Sequence, residues 1–115
     1  MKRPEKIQVG AKNYKVVYDK AALDAIAVLS HKHLMGDTSH LHLLMTIDDT
    51  LPEQVVRDTL LHETLHTLWV SGGFDDLEMT QEQLVNALTP RLMSVLRDNP
   101  VLTRYLVSEK EEDDE

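Results

Sequence analysis

The sequence predicts an α+β fold, and three observations carry that prediction. Short alternating or β-branched runs lie in the first half of the chain, at residues 7–9, 14–18 and 40–47. Helix-period runs with start signals fill the second half, after Thr50 and after Thr80. The chain has 115 residues, 42% hydrophobic and 28% charged, which suits one domain with its own core.

Each element has a local reason. Ile7 and Val9 alternate with polar residues, residues 10–13 read as a turn, and residues 14–18 (YKVVY) have strand composition, so an N-terminal hairpin is expected. Asp19 can cap a helix running to about Ser30, with Ala22, Leu23, Ile26, Ala27 and Leu29 as its apolar positions. Gly36 and Asp37 mark a turn. Residues 40–47 then alternate, with Leu41, Leu43, Met45 and Ile47 on one face, as in a strand lying on a core. Thr50 and Glu53 have capping-box spacing and open a helix that stops at Gly72 and Gly73. Residues 74–79 form an acidic loop. Thr80 and Gln83 are a second capping box, and Pro90 is expected to kink or divide the helix that follows, because it has no N–H for the carbonyl of Asn86. Asn99 and Pro100 end that helix, and residues 101–107 form one more. The single domain is thus residues 1–107, and residues 108–115, six acids against one lysine, read as a disordered solvated tail.

Composition narrows the chemistry. There is no cysteine, so disulfides, thiolate nucleophiles and cysteine-type zinc sites are excluded, and any metal must take His, carboxylate or water ligands. The formal charge of −8 is concentrated in the tail, and the mildly acidic remainder lacks the basic patch of a nucleic-acid binder. The basic N-terminus runs into Glu5 and Lys6 rather than an apolar stretch, and no run is long enough to span a membrane. A cytoplasmic protein without nucleic-acid or membrane partners is expected.

One motif carries chemistry. His62, Glu63, Thr64, Leu65 and His66 form an HExxH pattern inside an expected helix. Histidines at i and i+4 project from one side of a helix, so both imidazoles can reach one metal ion at about 2.0–2.1 Å. Glu63 is rotated by about 100° and can reach a metal-activated water instead. It would take the water's proton and pass it to a leaving amine. By the same rotation His62 and His66 fall beside Val55, Thr59, Leu65 and Trp69, with Arg57, Leu60, Thr64 and Thr67 on the far side. The histidines are therefore expected to face the core, where two imidazoles and an acid are costly unless metal-bound or hydrogen-bonded.

This stretch, with Asp58, Thr59, Leu60 and Leu61 before it, resembles the active-site helix of the zincin metallopeptidases. The order of turn, alternating strand, proline-started helix, HExxH, Gly-Gly and a Glu-bearing helix is similar to compact phage-encoded metallopeptidases, and more distantly to ImmA/IrrE-type peptidases. The resemblance spans roughly residues 7–107. It implies a small zincin-like α+β domain, with a short antiparallel sheet packed on the HExxH helix, that hydrolyses peptide or protein substrates with Zn2+. His62 and His66 would be ligands and Glu63 the general base, and residues 40–47 would be the strand that guides an extended peptide. No third His follows in the HExxHxxGxxH pattern, since Trp69, Val70 and Ser71 come after His66 and Thr67. In gluzincins the third ligand is a Glu of the next helix, and Glu82 is the matching position, with Glu78, Asp75 and Asp76 as alternatives.

Other side chains have two readings each. The pairs His31 and His33, and His40 and His42, could add ligands or stabilise an oxyanion, or lie exposed on a loop and a strand face. Tyr105 could offer a phenol to a tetrahedral intermediate, or pack in the last helix. Asp58, one turn before His62, could orient an imidazole, or be an ordinary first-turn acid; Trp69 suits the core. Two rival functions stand beside a peptidase: a non-catalytic phage or bacterial protein using zinc as a structural brace, and a metal-free helical interaction module. A brace has no use for Glu63, which favours catalysis.

Overall fold

The computed structural model describes residues 2–30, 34–73 and 78–108. Four strands and four helices follow one another as β1 (Lys6–Val9), β2 (Lys12–Tyr18), α1 (Lys20–Ser30), β3 (Gly36–Ser39), β4 (Leu44–Ile47), α2 (Glu53–Ser71), α3 (Gln81–Asp98) and α4 (Pro100–Leu106). The α+β class is as the sequence predicts. The strands form one sheet in the order β1-β2-β4-β3.

The sheet is mixed rather than antiparallel. β1 and β2 form the expected hairpin, turning at Gly10 with φ +61°. β2 then pairs with β4 in parallel, from Lys15 opposite Leu44 to Tyr18 opposite Ile47. Parallel pairing requires a crossover, and α1 with β3 supplies it. The expected strand at 40–47 is likewise two things. Only residues 44–47 are strand, and residues 40–43 turn the chain back from β3. Leu43 takes the left-handed conformation there, at φ 53°, and Leu41 stands out in solvent. Gly36 and Asp37, expected in a turn, open β3 instead. Within β4 the exposure does not alternate: Met45 and Ile47 are fully buried, and Thr46 between them is buried as well.

The starts of α1 and α3 follow capping chemistry, whereas α2 and α4 start without a side-chain cap. Asp19 Oδ1 accepts the Ala22 N–H at 3.1 Å and starts α1. Of the apolar positions expected to pack there, Leu23 is buried, whereas Ala22 and Leu29 are exposed. Thr80 and Gln83 make the reciprocal capping box that starts α3. The box expected at Thr50 does not form: both the N–H and the hydroxyl of Thr50 bind Asp48 Oδ1, at 2.9 and 2.6 Å. Glu53 is drawn elsewhere, to a bidentate pair with Arg3 at 2.6 and 3.0 Å and to the hydroxyl of Tyr105. Pro90 does not divide α3, which runs through it as one helix with the proline exposed.

The core lies between the sheet and the C-terminal helices. Ile7, Val9, Tyr14, Val16, Met45 and Ile47 meet Val56, Leu60 and Leu68 of α2, Val95 of α3, and Leu102 and Tyr105 of α4. Asn99, between α3 and α4, completes the β1 edge: its side chain accepts the Gln8 N–H at 2.7 Å and donates to the Gln8 carbonyl at 2.9 Å. Among the described residues no helix is long and apolar enough to cross a membrane. Residues 109–115, nearly all of the expected tail, lie outside the described residues, as do His31, His33 and residues 74–77 of the acidic loop.

Candidate metal centre

α2 carries the motif across its middle, and its burial reverses the expectation. His62 and His66 are exposed and Glu63 is buried, at 6% exposure. The buried face of α2 includes Val56, Leu60 and Leu68 together with Arg57, Thr64 and Thr67. Polar residues can occupy it because they are satisfied locally. Thr64 Oγ1 donates to the Leu60 carbonyl at 2.8 Å, and Thr67 Oγ1 to the Thr64 carbonyl at 2.6 Å. Arg57 Nε reaches the Tyr105 carbonyl at 3.2 Å. A stripe assigned by hydropathy counts these residues as outward. With their donors bonded inside the helix or to α4, they pack as core, and Leu61 and Leu65 are left outside.

The histidines converge all the same. His62 Nε2 and His66 Nε2 are 3.1 Å apart, with the rings edge to face. Glu63 Oε2 is 3.9 Å from His62 Nε2, and the ligand atoms of the three residues all lie within 4.8 Å of one another. Two nitrogens bound to one tetrahedral zinc at about 2.0–2.1 Å stand roughly 3.3 Å apart, so the pair fits such an ion. Without a metal, one imidazole must donate an N–H to the other's lone pair. With one, both nitrogens offer lone pairs to the same point.

Glu63 is held from the sheet. Thr38 Oγ1, on β3, donates to Glu63 Oε1 at 2.7 Å, which leaves Oε2 on the side of His62. The close approach of strand to helix needs Gly36. A Cβ there would lie 2.8 Å from Thr59 Cγ2 and 3.2 Å from both Glu63 Cγ and Ile47 Cδ1. Neither residue was legible as functional, because GDTS has turn composition and no strand signal. β3 is also the edge strand beside α2, whereas β4 is interior. The position expected of residues 40–47 beside the motif helix therefore belongs to β3.

A cleft of about 370 Å³ opens next to this cluster, lined by Leu34, Met35, Gly36, Val55, Asp58, Thr59, His62 and Glu63. Asp58 is exposed in it, and among the described residues no hydrogen bond joins it to either imidazole. Glu82 is not brought into the cluster. It sits exposed in the first turn of α3, and Glu78 is exposed just before that helix. Asp75 and Asp76 lie outside the described residues. His40 Nδ1 shares a hydrogen bond with the Tyr14 hydroxyl at 3.1 Å, and His42 is exposed. Tyr105 is fully buried against Glu53, roughly 14 Å along α2 from His62, so it packs and takes no part in the cluster. Trp69 is half-buried.

Comparison of the chain with protein-family models, with curated proteins and with solved structures gave no match.

Proposed function

We propose that this protein is a zinc-dependent metallopeptidase. The observation that carries the proposal is the convergence of two exposed imidazole nitrogens, 3.1 Å apart, beside a buried carboxylate fixed from a neighbouring strand. His62 and His66 hold the ion, and a further ligand comes from the acid-rich stretch between Asp75 and Glu82 that joins α2 to α3. Zinc bound there acidifies a water and polarises a substrate carbonyl. Glu63 acts through Oε2, the oxygen that Thr38 leaves available. It accepts one proton of the attacking water as the C–O bond forms, then delivers it to the amide nitrogen as the C–N bond breaks. Among the described residues β3 is an edge strand, and its outer backbone groups offer a line along which an extended peptide can lie. A cytoplasmic setting is part of the proposal, since a chain without cysteine needs no oxidising compartment to fold.

The exposure of both histidines favours catalysis over a structural brace, because a closed site of four protein ligands leaves no room for substrate. Elemental analysis and peptide cleavage test the reading together. Wild type should bind zinc stoichiometrically, and His62→Ala and His66→Ala should lose it. Glu63→Gln should keep zinc and fold while hydrolysis of a peptide library falls by roughly 10²–10⁴-fold. Full zinc retention in both His variants would sink the metal centre. Zinc held by four protein ligands would decide for the brace.

A further inference from the structure

The cleft beside the cluster has a charge that the proposed chemistry leaves unused. Its walls at Leu34, Met35 and Val55 are apolar, and Met35 stands 49% exposed. Asp58 is the exposed acid among its lining residues. Among the described residues, Asp58 has neither hydrogen bond nor ion pair, and no lysine or arginine lines the cleft. An imidazole-orienting role would require a bond to His62, and none is present. We propose that this cleft is a specificity pocket for a basic side chain of the bound peptide, with Asp58 as the residue that selects it.

The fit follows from the chemistry of lysine and arginine. Their methylene stems lie favourably along apolar walls while the charged end reaches for an anion. The apolar walls alone would accept any long side chain, so discrimination comes from Asp58. An acidic side chain seated along the same walls would face the Asp58 carboxylate and be disfavoured there. The proposal rests on the peptidase reading for the identity of the ligand as a peptide, but the pocket's preference is measurable without hydrolysis.

The test uses the full-length, zinc-loaded chain and capped glycine-alanine peptides carrying a single lysine, norleucine or glutamate. Binding is followed by amide shifts of Met35, Gly36 and Thr59 in a titration, and cleavage is scored by mass spectrometry on the same samples. Wild type should bind the lysine peptide about fivefold more tightly than the norleucine peptide, the scale of an exposed ion pair. That preference should shrink at high salt. Asp58→Asn should bind the two alike, and Asp58→Lys should turn the preference toward glutamate. Norleucine binding as well as lysine in wild type, a lysine preference that survives Asp58→Asn, or no shift at these amides with any peptide would each overturn the pocket. A lysine preference without cleavage supports the pocket and counts against the peptidase. Cleavage without the preference does the reverse.

Discussion

At the scale of single residues, Glu63 shows how a buried carboxyl group is given a fixed direction. Its carboxylate has one oxygen taken by Thr38 and the other turned toward His62, so each oxygen has a direction. A buried polar acceptor that loses its donor pays the desolvation cost. Thr38→Val keeps the shape of the side chain and removes only the donor. We expect it to lower stability to urea by about 1–3 kcal/mol while zinc content is unchanged, with Thr38→Ser restoring the loss. A Val variant as stable as wild type would mean that the bond contributes nothing. The residues of the motif were legible because HExxH is a spacing within one helix. Thr38 was not, because it is 25 residues away in sequence and sits in a four-residue strand without strand composition.

At the scale of elements, the site depends on how closely β3 lies against α2. Gly36 is the point of closest approach, and its missing side chain is what permits the contact with Thr59 and Glu63. Gly36→Ala would place a Cβ 2.8 Å from Thr59 Cγ2, nearer than carbon atoms sit at rest, so the strand or the helix must move. Overpacking of this kind costs about 1–3 kcal/mol, and it should also draw Thr38 away from Glu63. Chemical denaturation measures the first effect, and an unchanged midpoint would show that the interface yields freely. The same scale explains why the histidine face was assigned to the core. Thr64 and Thr67 bond carbonyls of their own helix, so their polarity does not turn them to solvent. Periodicity of hydropathy alone cannot see that.

At the scale of the whole molecule, the two ends of the described chain are tied to the start of α2. Arg3 pairs with Glu53, Tyr105 of α4 donates to the same carboxylate, and the Tyr18 hydroxyl donates to the Pro4 carbonyl at 2.6 Å. Burial pushes the Tyr18 and Tyr105 hydroxyls well above the ordinary tyrosine range, so both remain protonated donors. The hydrogen bonds from Arg3 hold Glu53 below the usual carboxylate range, opposed by its burial and aided by the Tyr105 hydroxyl. A carboxylate with a depressed folded pKa stabilises the fold fully above its unfolded value of about 4.3, and that stability is lost as pH falls through the folded pKa. The fold should therefore weaken in acid below about pH 4. Glu53→Gln should be less stable at neutral pH and show a shallower decline between pH 7 and 3. Urea midpoints across that range check this, and parallel curves for the two proteins would remove Glu53 from the account.

The sequence by itself determined what is local. The N-terminal hairpin, the capped starts of α1 and α3, the stop of α2 at Gly72 and Gly73, and the pairing of His62 with His66 each depend on residues within a few positions of one another. Tertiary structure decided the rest. It paired β2 with β4 in parallel, took Glu53 from its capping box to a partner 50 residues away, and turned the histidines outward by burying threonines. It also left Glu82 away from the cluster and brought Thr38 and Gly36 to it. These outcomes share one cause. A strand's partner, a buried charge's counter-ion and a helix's inward face are settled by competition between distant groups for burial and hydrogen bonds, and a local pattern records only the competitors nearby.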